Sequence, residues 1–254
     1  MPILTTADSS TQRSGTGARD IFATTHWTVV LAAGRRHTPD SDRALEELCR
    51  TYWYPLYAYV RRRGYSKEDA EDLTQAFFTR FLEKNYLGSV NAERGRFRAF
   101  LLASLKHFLI NDWKRSRRQK RGAGEALLSL DWSTADTQFQ VAATAEPSPD
   151  KAFDREWALA LLGKVVGRLQ QECEADGRGQ QFAELKIFLT AGKGALSYAE
   201  PARKLGLDEG AVRVIVHRLR KRYRELLRDE IRHTLSDPAQ VEEEMRALFG
   251  AFSS

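Results

Sequence analysis

The apolar residues of this chain recur at helical spacing almost throughout, and nowhere do they alternate over a useful length. A chain patterned this way buries helix stripes against one another and has no strand to form a sheet, so the expected fold class is all-α. From Arg43 to Arg63 the stripe is Leu45, Leu48, Cys49, Tyr52, Leu56, Tyr59 and Val60. Thr38-Pro39 reads as its cap and first turn, and Arg61-Arg62-Arg63-Gly64 as its end, with cations at the negative helix terminus and a glycine cap. Ser66-Lys67-Glu68-Asp69 opens the next helix in capping-box fashion, with Ala70, Leu73, Phe77, Phe81 and Leu82 inward. After a turn near Asn85–Gly95, Phe97, Phe100, Leu101, Leu105, Phe108 and Leu109 carry a third pattern into Trp113.

The pattern dissolves after Arg121. Gly122–Pro149, rich in Gly, Ser, Thr, Ala and Pro, reads as a linker, with the apolar Leu127–Trp132 inside it too short to assign. Ser148-Pro149-Asp150 then starts a second set of helices at roughly 151–175, 180–191, 197–205 and 209–232. Asp237-Pro238-Ala239-Gln240 caps a last amphipathic helix with Val241, Met245, Leu248 and Phe249. The expected division is a disordered tail over 1–20, a helical domain over 21–121 that begins with Ile21–Arg36, a linker over 122–149, a second helical domain over 150–233 and a terminal helix over 234–254. The first twenty residues lack the apolar segment of a signal peptide, and no later run is long and apolar enough to span a bilayer, so no membrane partner is expected.

A formal charge of +6 and a pI near 9.4 favour a polyanionic partner. The positive charge is concentrated. Between Arg94 and Arg121 lie ten cations and one acid, Asp112, with Phe97, Phe100, Phe108 and Trp113 interleaved. Cations track phosphates and aromatic faces stack on unpaired bases, so the mixture suits opened DNA, although helical spacing favours a core position for each of Phe97, Phe100 and Phe108. Leu196–Leu226 reads as helix-turn-helix. Ser197 and Glu200 form a capping box, Ala202 and Leu205 face inward, Gly206 turns the chain, Leu207 plugs the core and Asp208 caps the second helix. Val212, Ile215, Val216, Leu219, Tyr223 and Leu226 make that helix's buried stripe. Arg213, His217, Arg218, Arg220, Lys221, Arg222 and Arg224 are left mostly outside, as major-groove reading needs. Pro201 fits poorly with a helix beginning at Ser197, because it removes one backbone donor. Upstream, Asp72 and Gln75 share a polar face outside the Leu73/Phe77 stripe, fit to dock a basic helix. His26, His37, His107, His217 and His233 make no metal-spaced pair with each other or with Cys49 and Cys173, and no phosphate loop or nucleophile motif occurs. The enzyme reading is poor, and two distant cysteines suit a reducing cytosol.

Taken together, Ala44–Gly64 with Glu68-Asp69-Ala70-Glu71-Asp72-Leu73-Thr74-Gln75-Ala76-Phe77, Arg96-Phe97-Arg98-Ala99-Phe100-Leu101, Ser197-Tyr198-Ala199-Glu200 to Leu205-Gly206, and Ala211–Arg220 resemble the extracytoplasmic-function (ECF) RNA polymerase sigma factors of the sigma-70 family. The order of these blocks, separated by an irregular linker, carries the resemblance over nearly all of residues 43–232. It implies a region 2-like bundle, a region 4-like helix-turn-helix, no catalytic residue, no cofactor and a cytoplasmic location. It also implies that Asp72, Leu73 and Gln75 contact core RNA polymerase. Arg96, Arg98, Lys106, His107, Asn111, Trp113, Lys114 and Arg115 would open and read the minus-ten element of promoter DNA. Arg213, Val214, His217, Arg218, Arg220 and Lys221 would lie on the minus-thirty-five element. An anti-sigma or other regulatory protein is a further candidate partner. His107, Val214 and Pro201 depart from the residues usual in the family and bear on promoter sequence more than on function. The alternative is a helix-turn-helix regulator that never touches polymerase. The sigma reading needs the Arg94–Arg121 cluster exposed on the side that carries Arg213.

Overall fold

The computed structural model describes residues 39–82, 95–111, 131–142, 148–192 and 195–252. Ile21–Arg36, Arg94, Trp113, Lys114, Arg115 and Leu127–Leu130 lie outside the described residues. Among those described, every regular element is helical. Helix α1 spans Pro39–Arg62, α2 Lys67–Leu82 and α3 Phe97–Asn111. Helix α1 buries Leu45, Leu48, Cys49 and Tyr52 on one side, as its spacing predicts, and residues 54–60 are buried all round. A helix covered on every face is a central element, and α1 continues through Pro55 despite the missing donor because packing surrounds it. Helices α2 and α3 close one flank with an aromatic cluster in which Phe77 meets Phe108 edge-on at 5.7 Å and Tyr52 meets Phe97 at 5.4 Å. Ser66 Oγ accepts from Asp69 N at 3.1 Å, which is the expected cap of α2.

A second flank of α1 is covered by a helix inside the segment read as linker. Helix α4, Trp132–Ala142, sets Trp132 edge-on to Trp53 at 5.1 Å and brings Asp136 to 3.1 Å from Arg61. The Arg61 guanidinium lies 4.7 Å from the centre of the Phe139 ring. Linker character therefore does not hold over 132–142. The stripe of Trp132, Ala135 and Phe139 is short and set among Ser, Thr and Asp, so α4 relies on docking more than on propensity.

Helix α5, Pro149–Ala175, is about 40 Å long at 1.5 Å per residue. Its amino-terminal half, with Phe153, Trp157 and Leu161 buried, makes the most extensive helix contact among the described residues, with α1. Its later half, through Val165, Leu169 and Cys173, packs on α8. One buried cluster therefore runs from Leu45 to Leu248. Helix α6 (Gly179–Leu185), a 3-10 turn (Lys186–Leu189), α7 (Ala199–Leu205) and α8 (Glu209–His233) complete the carboxyl-terminal group. After a 3-10 turn at Pro238–Gln240, α9 (Val241–Gly250) folds back on α8 and α5 with Val241 and Leu248 buried.

Candidate nucleic-acid interface and partner faces

The turn between α7 and α8 is built as its residues dictate. Gly206 takes φ 66°, the left-handed conformation in which a side chain is strained, and Asp208 accepts from Ala211 N at 2.8 Å to cap α8. Helix α7 begins at Ala199, two residues later than the sequence suggests, which puts Pro201 in the first turn where its missing donor has no intrahelical partner to lose. The Ser197 hydroxyl accepts from Ala199 N at 3.2 Å, so Ser197 serves the turn and not a capping box with Glu200. Leu207 is 37% exposed and does not plug the core, whereas Ala202 is buried as expected.

Val212, Val216, Leu219, Tyr223 and Leu226 fill the inward stripe of α8. Arg213, Val214, His217, Arg218 and Lys221 occupy the opposite, exposed face at intervals of three and four, with Val214 49% exposed. Arg213 stands 5.7 Å from the ring centre of Tyr198, which is itself stacked on Phe188 at 4.9 Å, so its long side chain has a fixed platform. Arg220 behaves differently. Its guanidinium donates to the Phe188 and Ala191 carbonyls, both at 2.8 Å, and ties α8 to the turn after α6. Arg220 therefore belongs to the scaffold and is removed from the DNA set. Arg222 is likewise held, by both oxygens of Glu172 at 2.7 and 2.8 Å, and these bonds lower the Glu172 pKa.

On α2, Asp72 is exposed and Gln75 half-buried, so both stand on the outer side of the helix. Leu73 is fully buried against the α1–α3 core and cannot itself reach a partner. Its part is to hold the Asp72/Gln75 face from beneath. Burial raises the pKa of the neighbouring Glu71 carboxyl.

In the amino-terminal basic segment the described aromatics pack inward as their spacing favours, and it is the cations that depart from expectation. Phe97 and Phe108 are core residues, and Phe100 packs on Phe81 and Phe97. Arg98 is buried: its Nε donates to Glu244 Oε1 at 2.6 Å, its Nη1 pairs with Asp154, and its guanidinium lies 4.6 Å from the Trp157 ring centre. Arg96 Nε is 2.9 Å from Glu244 Oε2, and its Nη2 is 2.5 Å from Glu243 Oε1. Lys106 pairs with Asp150. His107 is exposed, and of Asn111 only the backbone is described. The required open basic surface is thus absent at Arg98 and partly covered at Arg96 and Lys106. No group of three or more potential metal-binding side chains occurs among the described residues. No helix among them is long and apolar enough to cross a membrane.

The described residues thus present an exposed cationic face on α8 and, apart from it, a polar, partly acidic face on α2. Residues 48–119 match the family model described as Sigma-70 region 2. The chain is 29% identical over 181 residues to the ECF RNA polymerase sigma factor BldN of Streptomyces coelicolor, an alignment that covers 70% of this chain and 58% of that relative. No solved structure matches. Over these residues the chain is similar to sigma-70 region 2 and to an extracytoplasmic-function sigma factor. It spans less than two thirds of the relative's length.

Proposed function

We propose that the chain binds core RNA polymerase in the cytoplasm and directs it to promoters by reading minus-thirty-five and minus-ten elements. The observation that carries this is the match of residues 48–119 to sigma-70 region 2 on a chain whose α8 also presents Arg213, Val214, His217, Arg218 and Lys221 as one exposed face. Asp72 and Gln75 hold the polymerase. The recognition helix engages duplex DNA with salt-dependent affinity. Arg96, Arg98, Lys106, His107 and Asn111, with Trp113, Lys114 and Arg115, then secure the opened strand. Capture of unstacked bases stabilises the open state relative to the closed one. Residues 21–121 and 150–233 act as the polymerase- and minus-ten-directed unit and the minus-thirty-five-directed unit.

The test is transcription from genomic fragments by purified core enzyme with and without the protein. Specific transcripts that start only when it is present support the reading, and an unchanged transcript set refutes it. The engagement of Arg96 and Arg98 by carboxylates favours one second reading, a helix-turn-helix regulator that uses α8 alone. A pull-down with core polymerase separates the two, because that regulator would not bind.

A further inference from the structure

Arg98 is a cation in an apolar stripe, and the acid that meets it is another. On α3, Arg98, Leu101, Leu105 and Phe108 lie on one buried face, and on α9 so do Val241, Glu244 and Leu248. Glu244 is fully buried and takes both arginines, Arg98 on both carboxylate oxygens and Arg96 on Oε2. The main chain joins the same two segments. Phe97 N donates to Thr234 O at 3.0 Å and Ser236 N to Gly95 O at 3.3 Å, so Arg96 and Leu235 form a short antiparallel bridge. Side chains and backbone together fasten the start of α3 to the turn that leads into α9.

We infer that α9 is an internal competitor of DNA: its carboxylates occupy the α3 cations that the proposed function assigns to the opened strand. The inference rests on that function. A guanidinium held by a carboxylate on two nitrogens has the geometry with which it would hold a phosphate, so one anion must leave before the other binds. Closed and DNA-bound states therefore exclude each other at Arg96 and Arg98, and the terminal helix sets a threshold that promoter DNA must overcome. Displacement has a starting point. The Glu243 side chain is 59% exposed, so phosphate and solvent reach its pair with Arg96 before the buried Glu244 is disturbed. Asp154 and Asp150 of α5 also pair with Arg98 and Lys106, each through one carboxylate oxygen.

The test measures binding of the full chain to a fluorescent single-stranded DNA oligonucleotide, alongside a core-polymerase pull-down. E243Q/E244Q is expected to bind the oligonucleotide about tenfold more tightly than the unaltered chain, within the range usual for coupled sites. Its salt slope should match that of the unaltered chain, because the same phosphates are neutralised once α9 is displaced. Adding R96Q/R98Q should cancel the gain. If E243Q/E244Q loses helical circular dichroism, Glu243→Lys at its exposed position carries the test, with a gain of about fivefold. An unchanged affinity in a folded variant, or a gain that survives R96Q/R98Q, overturns the competitor role. Core binding that stays intact in that case spares the sigma reading, whereas loss of core binding by the unaltered chain sinks the reading beneath it.

Discussion

Replacing Arg98 by alanine probes the join between the amino-terminal helices and the terminal helix. The substitution removes two bonds to Glu244, at 2.6 and 3.3 Å, the pair with Asp154 and the contact with Trp157 at 4.6 Å. Removing one partner of a buried ion pair costs about 3–5 kcal/mol, because the other charge is left without compensation. Two features push the value down. Glu244 keeps Arg96 at 2.9 Å, and the Asp154 side chain is 41% exposed and can rehydrate. Loss of the cation–π contact adds about 1 kcal/mol back. The expected destabilisation is about 3 kcal/mol, or a urea midpoint lowered by about 1 M at a slope near 3 kcal/mol/M. The assay is equilibrium unfolding followed by circular dichroism, run beside Arg98→Met/Glu244→Met. That double variant should recover most of the loss, since a buried ion pair exchanged for apolar groups of similar volume is often neutral. A cost below about 1 kcal/mol for Arg98→Ala, the range of surface substitutions, would refute the placement of Arg98 inside the fold.

Other consequences follow from single contacts. Asp208→Ala should lower stability by about 1 kcal/mol through loss of the α8 cap, and Gly206→Ala by about 1–2 kcal/mol at its left-handed φ, both read from thermal melts. Arg220→Met should lower stability and leave the salt slope of duplex binding unchanged, because its guanidinium is spent on two backbone carbonyls; a shallower slope would restore it to the DNA set. Burial raises the Glu156 pKa in the folded chain, so its contribution is full below the unfolded carboxyl value and is lost as pH rises through the folded one. Glu156→Gln should therefore gain stability relative to the unaltered chain between about pH 4 and pH 8, and equal pH profiles would contradict this. The Cys49 thiol is pushed up to about 12 by burial, so native protein should resist a chromogenic disulfide reagent at pH 8 until it is unfolded.

Helices α1, α5, α8 and α9 were legible because cap-type residues precede an apolar stripe in each, although among the described residues only α8 of these four shows its side-chain cap bond. For α7 the boundary moved two residues because Pro201 outweighed the Ser197/Glu200 pairing. Helix α4 was hidden, since Trp132, Ala135 and Phe139 gain meaning only against Trp53, Tyr57 and Arg61 of a distant helix. The exposed face of α8 could be read from periodicity alone. The state of Arg96 and Arg98 could not be read from charge, which marks arginine as a surface residue, while the Arg98 partners stand 56 and 146 positions away. A subtler signal was present. Arg98 lies in register with Leu101, Leu105 and Phe108, and Glu244 with Val241 and Leu248, so two opposite charges each stood where an apolar residue was due. Charges in such positions are tolerated when they find each other. Leu73 shows the same effect in reverse, a residue assigned to a surface by resemblance and to the interior by its stripe.

The proposed division of labour between α2 and α8 is tested most directly by two charge changes measured in the same two assays. Asp72→Arg with Gln75→Ala should abolish capture by core polymerase and leave duplex promoter binding intact. Arg213→Glu with Arg218→Glu should abolish duplex binding and leave core capture intact. Loss of both activities in both variants, or of neither in either, would contradict a protein that holds a polymerase by one helix and a promoter by another.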